Sequence, residues 1–158
     1  MINLSKLFKT PLARPHHKWL VPVLIILAVI GFADATYLTV EHFANVVPPC
    51  TLRGCETVLT SGYSVMFGIP VALLGALYYF ALLVMYFLYF EAKDVRALNF
   101  ALHLSVLGLI CDIWFIFLQA FIIHAWCQYC LLSAAISTVI FVLSYWSLFG
   151  SPKVKLEA

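Results

Sequence analysis

The chain has 158 residues, of which 65% are hydrophobic and 10% charged, and its net charge is +2. A soluble domain carries about 25% charged residues, so too few polar side chains remain here to cover a water-facing surface. The composition predicts an integral membrane protein of one bundle, and the absence of a basic patch away from the apolar segments excludes nucleic acid as a partner.

Residues 1–18 are polar and basic, with Lys6, Lys9, Arg14 and Lys18, and are expected to form a cytoplasmic tail. They are too long and too weakly apolar for the n-region of a cleaved signal peptide, and no A-x-A-like site precedes the first span. A helix needs about 20 apolar residues to cross the hydrocarbon core. Four segments qualify, at 19–43, 67–90, 98–125 and 127–149, and together they make a catalytic domain over 19–149. Residues 150–158 form a second short tail. Pro22 falls in the first turn of the first span, where its missing N–H costs little. Gly68, Ala72 and Gly75 give the second span a small-residue face for close helix packing.

The loop 44–66 joins the first two spans. Val46-Val47-Pro48-Pro49 is held extended by its prolines. Within 51–62, Glu56 to Thr60 predict a short helix on the membrane surface, closed by Gly62. The fold class is therefore an all-α membrane protein, a four-transmembrane-helix bundle with a short outward-facing surface helix in its first loop. Lys6, Lys9, Arg14, Lys18, Lys93, Arg96, Lys153 and Lys155 fall on one side of the spans, and Arg53 alone on the other. By the positive-inside rule both tails are cytoplasmic. Loop 44–66 and the turn at 124–127 then face outward together, which puts all the loop and turn cysteines on one side.

Cys127 and Cys130 form a C-x-x-C pair at the start of the fourth span. Two thiols three residues apart on a first helical turn share a face. Unpaired N–H groups and the helix dipole favour a thiolate there, the form that exchanges disulfides. Cys130 lies one turn deeper, so a lipid-soluble acceptor is expected to meet Cys130 first. Cys50 and Cys55 are spaced C-x4-C in the loop. Such a pair closes a disulfide that can exchange with another, or serves as a fixed staple. A four-thiolate zinc site is the metal-binding alternative. An outward, oxidising setting disfavours it, and no metal is expected. Cys111, inside the third span, is expected to be a packed thiol.

Two pairs on one side make a relay, from an external dithiol through the loop pair to the C-x-x-C and on to an acceptor. The chain has no flavin or nucleotide fingerprint and no haem-ligand motif. An acceptor of two electrons and two protons that dissolves in lipid is a quinone, of ubiquinone or menaquinone type. Gln119, two turns before Cys127, is a candidate to face it. Asp34 and Asp112 are carboxylates about 20 Å deep in the first and third spans. They are candidates for a proton relay, by sharing a proton or supplying the quinol, or else for polar contacts between helices. His124, one turn before Cys127, is a candidate general acid or a solvated interfacial histidine.

The chain resembles bacterial-type members of the vitamin K epoxide reductase family. The resemblance is carried by Asp34-Ala35-Thr36-Tyr37-Leu38-Thr39, Cys50 with Cys55, and Ser64-Val65-Met66-Phe67-Gly68-Ile69-Pro70. Leu74-Gly75, Trp126-Cys127-Gln128-Tyr129-Cys130 and Ser133 continue it. A spaced loop pair followed by a C-x-x-C on the fourth helix is the reverse of the order in the disulfide-bond B type of quinone-linked oxidase. The resemblance implies four helices around a quinone, with the loop pair passing electrons to the C-x-x-C. It implies Ser64 as a hydrogen-bond donor to the quinone and Phe67 as a pocket wall. It also implies a thioredoxin-fold thiol oxidase as partner, expected in trans because the chain ends at Ala158, and a bacterial inner membrane as location. The loop spacing is shorter than is usual for the family, and the division of labour between Cys50 and Cys55 stays open. Two other readings remain: an epoxide or quinone reductase driven by a dithiol donor, and a non-catalytic membrane scaffold with a cysteine-bound metal.

Overall fold

The computed structural model describes residues 19–51, 54–66 and 68–149. The expected tails at 1–18 and 150–158, together with Arg53 and Phe67, lie outside the described residues. Four long helices carry the fold: α1 (Leu20–Ala44), α3 (Val71–Ala92), α4 (Val95–Phe117) and α5 (Gln128–Phe149). A short helix, α2 (Cys55–Leu59), sits in the first loop, and a π-helical turn, Leu118–Ile123, extends α4. All four long helices are long and apolar enough to cross a membrane, and the protein is an all-α, four-span membrane bundle.

The helices form a ring in which α1 and α4 each pack against both α3 and α5. Along α1, Leu24, Ala28, Gly31, Ala35 and Leu38 make the inward seam. The outward residues Ile26, Val29, Ile30 and Phe43 are equally apolar, as expected of a helix whose outer face meets lipid.

Apolar lipid gives helices no hydrophobic reason to associate, so close packing and interhelical hydrogen bonds hold them. Both are present in one ladder. Three tyrosines of α3 reach across the bundle to three serines of α5. Tyr78 Oη pairs with Ser137 Oγ at 3.2 Å, and Tyr86 Oη with Ser144 Oγ at 3.3 Å. Tyr79 Oη donates to the Ser133 carbonyl at 2.8 Å. Two glycines make room for the rings. A Cβ on Gly31 of α1 would collide with the Tyr79 ring, and one on Gly108 of α4 with the Tyr78 hydroxyl. A Cβ on Gly75 would rest against the Ala35 methyl across the α1–α3 contact, in line with the close packing expected of the second span, whereas Gly68, expected on the same face, lies in the turn before the helix.

Some boundaries differ from the sequence reading. The second span begins at Val71 rather than 67, because Val65–Met66 (β1) and Ile69–Pro70 (β2) form a short antiparallel hairpin. Gly68 supplies its positive φ of 81°. The third helix begins at Val95 because the Asp94 carboxylate accepts the Arg96 N–H at 2.9 Å and caps it. The loop helix, Cys55–Leu59, is shorter than 51–62 and is capped by Thr60, whose hydroxyl bonds back to the Glu56 carbonyl; Gly62 has open space around it and does not close the helix.

Candidate active site

The site lies at the end of the bundle where α1 and the π-helical turn finish and α3 and α5 begin. Cys50 and Cys55 form a disulfide, and Cys127 and Cys130 are thiols. All four belong to one cluster. Cys55, Val58 and Cys127 are its buried centre, and Cys50, Leu59, Ile123, Ala125, Tyr129 and Cys130 pack around them. The two loop cysteines differ in access, since Cys55 is 1% exposed and Cys50 half-buried. The loop approaches closely because Gly54, at φ 121°, has no Cβ to collide with the Ala125 methyl.

Cys127 is the residue before the first turn of α5, and its carbonyl accepts the Leu131 N–H at 3.0 Å. Its sulfur occupies the place of a capping side chain. The Cys130 thiol and the backbone N–H groups of Cys130 and Tyr129 hydrogen-bond to it, and hold the Cys127 thiol down at about 7 despite its burial. The Cys127 backbone N–H is satisfied from the π-helical turn, where the Gln119 carboxamide oxygen accepts it at 2.9 Å. Gln119 itself is buried, and the π-helical turn leaves its own carbonyl to accept the Ala125 N–H at 3.2 Å. Such turns recur at functional sites.

The two central residues of the C-x-x-C reach outward to the loop. Gln128 Oε1 accepts from both the backbone N–H (3.1 Å) and the hydroxyl of Thr51. Tyr129 Oη donates to the Pro49 carbonyl at 2.8 Å, and its ring packs on Tyr37 of α1 with centroids 5.7 Å apart. Pro49 and Thr51 flank Cys50, so the segment carrying that cysteine is held from both sides. In the sequence Gln128 and Tyr129 stand out only as part of the motif Trp126-Cys127-Gln128-Tyr129-Cys130, with no role of their own. The available signal was two polar-tipped residues at the mouth of an otherwise apolar helix.

The other residues singled out from the sequence are scattered about this centre. Asp34 lies within electrostatic range of both Cys127 and Cys130. Asp112 lies beside Ser137 and within electrostatic range of Tyr78 and Cys111. Neither Oδ2 has a hydrogen-bond partner, so the two carboxyls do not pair through those atoms. The Ser64 hydroxyl donates to the Ser61 carbonyl at 2.8 Å, within its own turn. Gln119 is committed to the Cys127 backbone. His124 is exposed, and in left-handed conformation it ends the π-helical turn. Cys111, expected to be packed, is exposed on α4, because its neighbour Asp112 takes the inward position. Among the described residues no group of three His, Cys, Asp or Glu side chains is placed to hold a metal ion. A four-thiolate zinc site would need Cys50 and Cys55 as thiolates, and here they are joined to each other.

No curated protein matches the chain. The chain does match the vitamin K epoxide reductase family over residues 22–145, a stretch that takes in both cysteine pairs. It belongs to that family, membrane oxidoreductases that couple thiol–disulfide chemistry to quinones.

Proposed function

We propose that the chain is a disulfide-generating oxidoreductase that takes electrons from a reduced thioredoxin-fold protein and passes them through Cys50–Cys55 and Cys127–Cys130 to a quinone. The observation that carries this reading is the single cluster holding all four sulfurs, with Cys55 buried against Cys127. The cysteines face the oxidising side of the membrane, in keeping with the basic residues on the opposite flanks.

The difference in access supports one division of labour between the loop cysteines. A partner thiolate attacks Cys50, the half-buried member; a partner–Cys50 bond forms and Cys55 leaves as a thiolate. The second partner thiol attacks the partner sulfur and releases Cys50, so that the partner is oxidised and the loop reduced. Cys55 then attacks Cys127, forming Cys55–Cys127 and releasing Cys130. Cys50 attacks Cys55, re-forms Cys50–Cys55 and expels Cys127. A leaving thiolate departs faster when its thiol is more acidic, and the hydrogen bonds that hold Cys127 near 7 serve this last step. The arrangement in the structure, loop disulfide with C-x-x-C dithiol, is the state that follows.

The residues beside Cys130 fit a quinone. Asp34 contributes an orphaned, buried carboxyl oxygen within an apolar helix, near the half-buried Cys130. A quinone brings a carbonyl to satisfy such a group once it is protonated, and an apolar ring for its surroundings. When bound, it accepts two electrons and two protons. Cys130 and Asp34 are the residues that would meet it, and the unpartnered Asp34 Oδ2 is the group that would take the proton lost when a thiol ionises. Ser64 and Phe67 stand as pocket residues on family resemblance alone. Gln119 orients the C-x-x-C through the Cys127 N–H.

The test is thiol trapping of the protein in membranes, wild type and Cys130→Ser, with a short-chain ubiquinone and a reduced thioredoxin-fold dithiol. Wild type is expected to oxidise the dithiol, and Cys130→Ser to stall: its Cys127 thiolate attacks Cys55 of the loop disulfide, Cys50 leaves as a thiolate, and Cys55–Cys127 persists because no Cys130 thiol resolves it. Full turnover by Cys130→Ser would sink the relay. A quinone epoxide as acceptor, compared with the quinone, separates this activity from epoxide reduction.

A further inference from the structure

The C-x-x-C contributes more than its two sulfurs. We infer that Gln128 and Tyr129 form a clamp that holds the Cys50 segment on the fourth helix, and that they are positioning residues for disulfide transfer between the two pairs. The inference rests on the relay proposed above.

Three hydrogen bonds cross from the helix to the loop, and they straddle Cys50. Gln128 accepts twice from Thr51, and Tyr129 donates to Pro49. Gln128 needs a free carbonyl lone-pair set for this, and Tyr129 a free hydroxyl. The Tyr129 ring is braced by Tyr37, so the clamp is tied to α1 as well as α5. Apolar side chains at these two positions would pack equally well against lipid or loop, yet would leave the Thr51 N–H and the Pro49 carbonyl without these partners.

The clamp answers a problem set by the chemistry. During transfer Cys55 leaves Cys50 and bonds to Cys127, and Cys50 must then return to attack Cys55. While the loop disulfide is open, the cross-link between Cys50 and α2 is gone. The clamp keeps Cys50 within reach, so that the second attack is an intramolecular step at high effective concentration. The bond that forms is Cys50–Cys55, the bond that breaks is Cys55–Cys127, and the electron pair leaves on Cys127. The three hydrogen bonds do not involve the sulfurs, so opening the Cys50–Cys55 bond removes none of their donors or acceptors.

The experiment follows disulfide formation in a single turnover. Fully reduced protein in detergent is mixed with excess short-chain ubiquinone, quenched with acid, alkylated and mapped by mass spectrometry. In wild type, a first phase forms Cys127–Cys130 and a second forms Cys50–Cys55. Gln128→Leu combined with Tyr129→Phe is expected to slow the second phase on the order of tenfold, with accumulation of Cys55–Cys127, while the first phase keeps its rate. Gln128→Glu in place of Gln128→Leu, with Tyr129 kept, retains an acceptor for Thr51 and is expected to keep most of the second-phase rate. A second phase at wild-type rate in the double variant overturns the clamp and leaves the relay standing. Equal slowing of both phases also overturns it, since that is the signature of general structural damage. If wild type itself forms no Cys127–Cys130 disulfide with quinone, the relay falls and the clamp falls with it.

Discussion

The Gln119 carboxamide oxygen accepts the backbone N–H of Cys127 at 2.9 Å, in a site where Gln119 is 3% exposed and Cys127 fully buried. One side chain of the third membrane helix thus fixes the residue at which the fourth helix begins. Removing the acceptor leaves a buried N–H unpaired, which costs about 1–3 kcal/mol. Gln119→Leu is expected to lower thermal stability in detergent by that amount and to slow quinone-dependent oxidation of the C-x-x-C. Gln119→Glu, which keeps an acceptor oxygen, is expected to recover part of both. A Gln119→Leu protein with wild-type melting would show that the bond is dispensable.

The Cys127 thiol is held at about 7, first by the Cys130 thiol and then by backbone N–H groups. An ordinary thiol titrates near 8.5. The folded value is therefore depressed, and the thiolate contributes stability to the reduced protein above the ordinary thiol range; this contribution is lost as pH falls through about 7. Ultraviolet thiolate absorbance of the reduced protein is expected to show one group with a midpoint near 7. Cys130→Ala removes the first donor, and the midpoint should rise toward the ordinary value. No change in that variant would assign the depression to the helix terminus instead.

Asp34 is within electrostatic range of both C-x-x-C sulfurs, whereas Asp112 faces Ser137 and Tyr78. Asp34→Asn keeps the shape and removes the carboxyl proposed above as proton acceptor. It is expected to slow quinone-dependent oxidation of the dithiol by about 10²-fold, the lower range for a lost proton-transfer group. Asp112→Asn is expected to cost far less. Equal effects in a stopped-flow comparison of the two variants would argue that both carboxyls act only as structural groups.

Gly31 lies under the ring of Tyr79, which is 1% exposed and tied by its hydroxyl to the Ser133 carbonyl. The ring has no free direction in which to yield. Gly31→Ala is expected to destabilise the bundle by about 1–3 kcal/mol through overpacking, read as a lower melting temperature in detergent. Combining it with Tyr79→Leu should recover much of that loss, because the colliding ring is gone. Simple additivity of the two changes would show that they do not share a contact.

The bundle was legible in the sequence because its signal is one-dimensional. Twenty-odd consecutive apolar residues are a helix that crosses lipid wherever they occur, and the four spans follow from that rule. The ends were less legible. Val65 to Pro70 is apolar enough to read as helix, but Gly68 and Pro70 turn it into a hairpin, a matter of backbone conformation that apolarity does not encode. The depth of Cys111 was misjudged for a related reason: a uniformly apolar helix carries no pattern to say which face turns inward. Only the contact of Asp112 with Ser137 and Tyr78 decides it.

That the four cysteines of the cluster fall into two pairs on one side of the spans was likewise legible from spacing and from the charges that flank the spans. Local chemistry sufficed, because a C-x-x-C at a helix start and a cysteine pair in a proline-bounded loop are each recognisable alone. What joins them is not local. The Tyr–Ser ladder, the two glycines beneath it, the Gln119 bond to Cys127 and the bonds from Gln128 and Tyr129 to either side of Cys50 link residues far apart in the chain. By itself the sequence determined that this protein spans a membrane four times and carries two cysteine pairs, since hydropathy and spacing are properties of a string. Which cysteine is buried, which is reachable and what holds them together were decided by the tertiary structure, because hydrogen bonds and close packing depend on which faces four antiparallel helices present to one another.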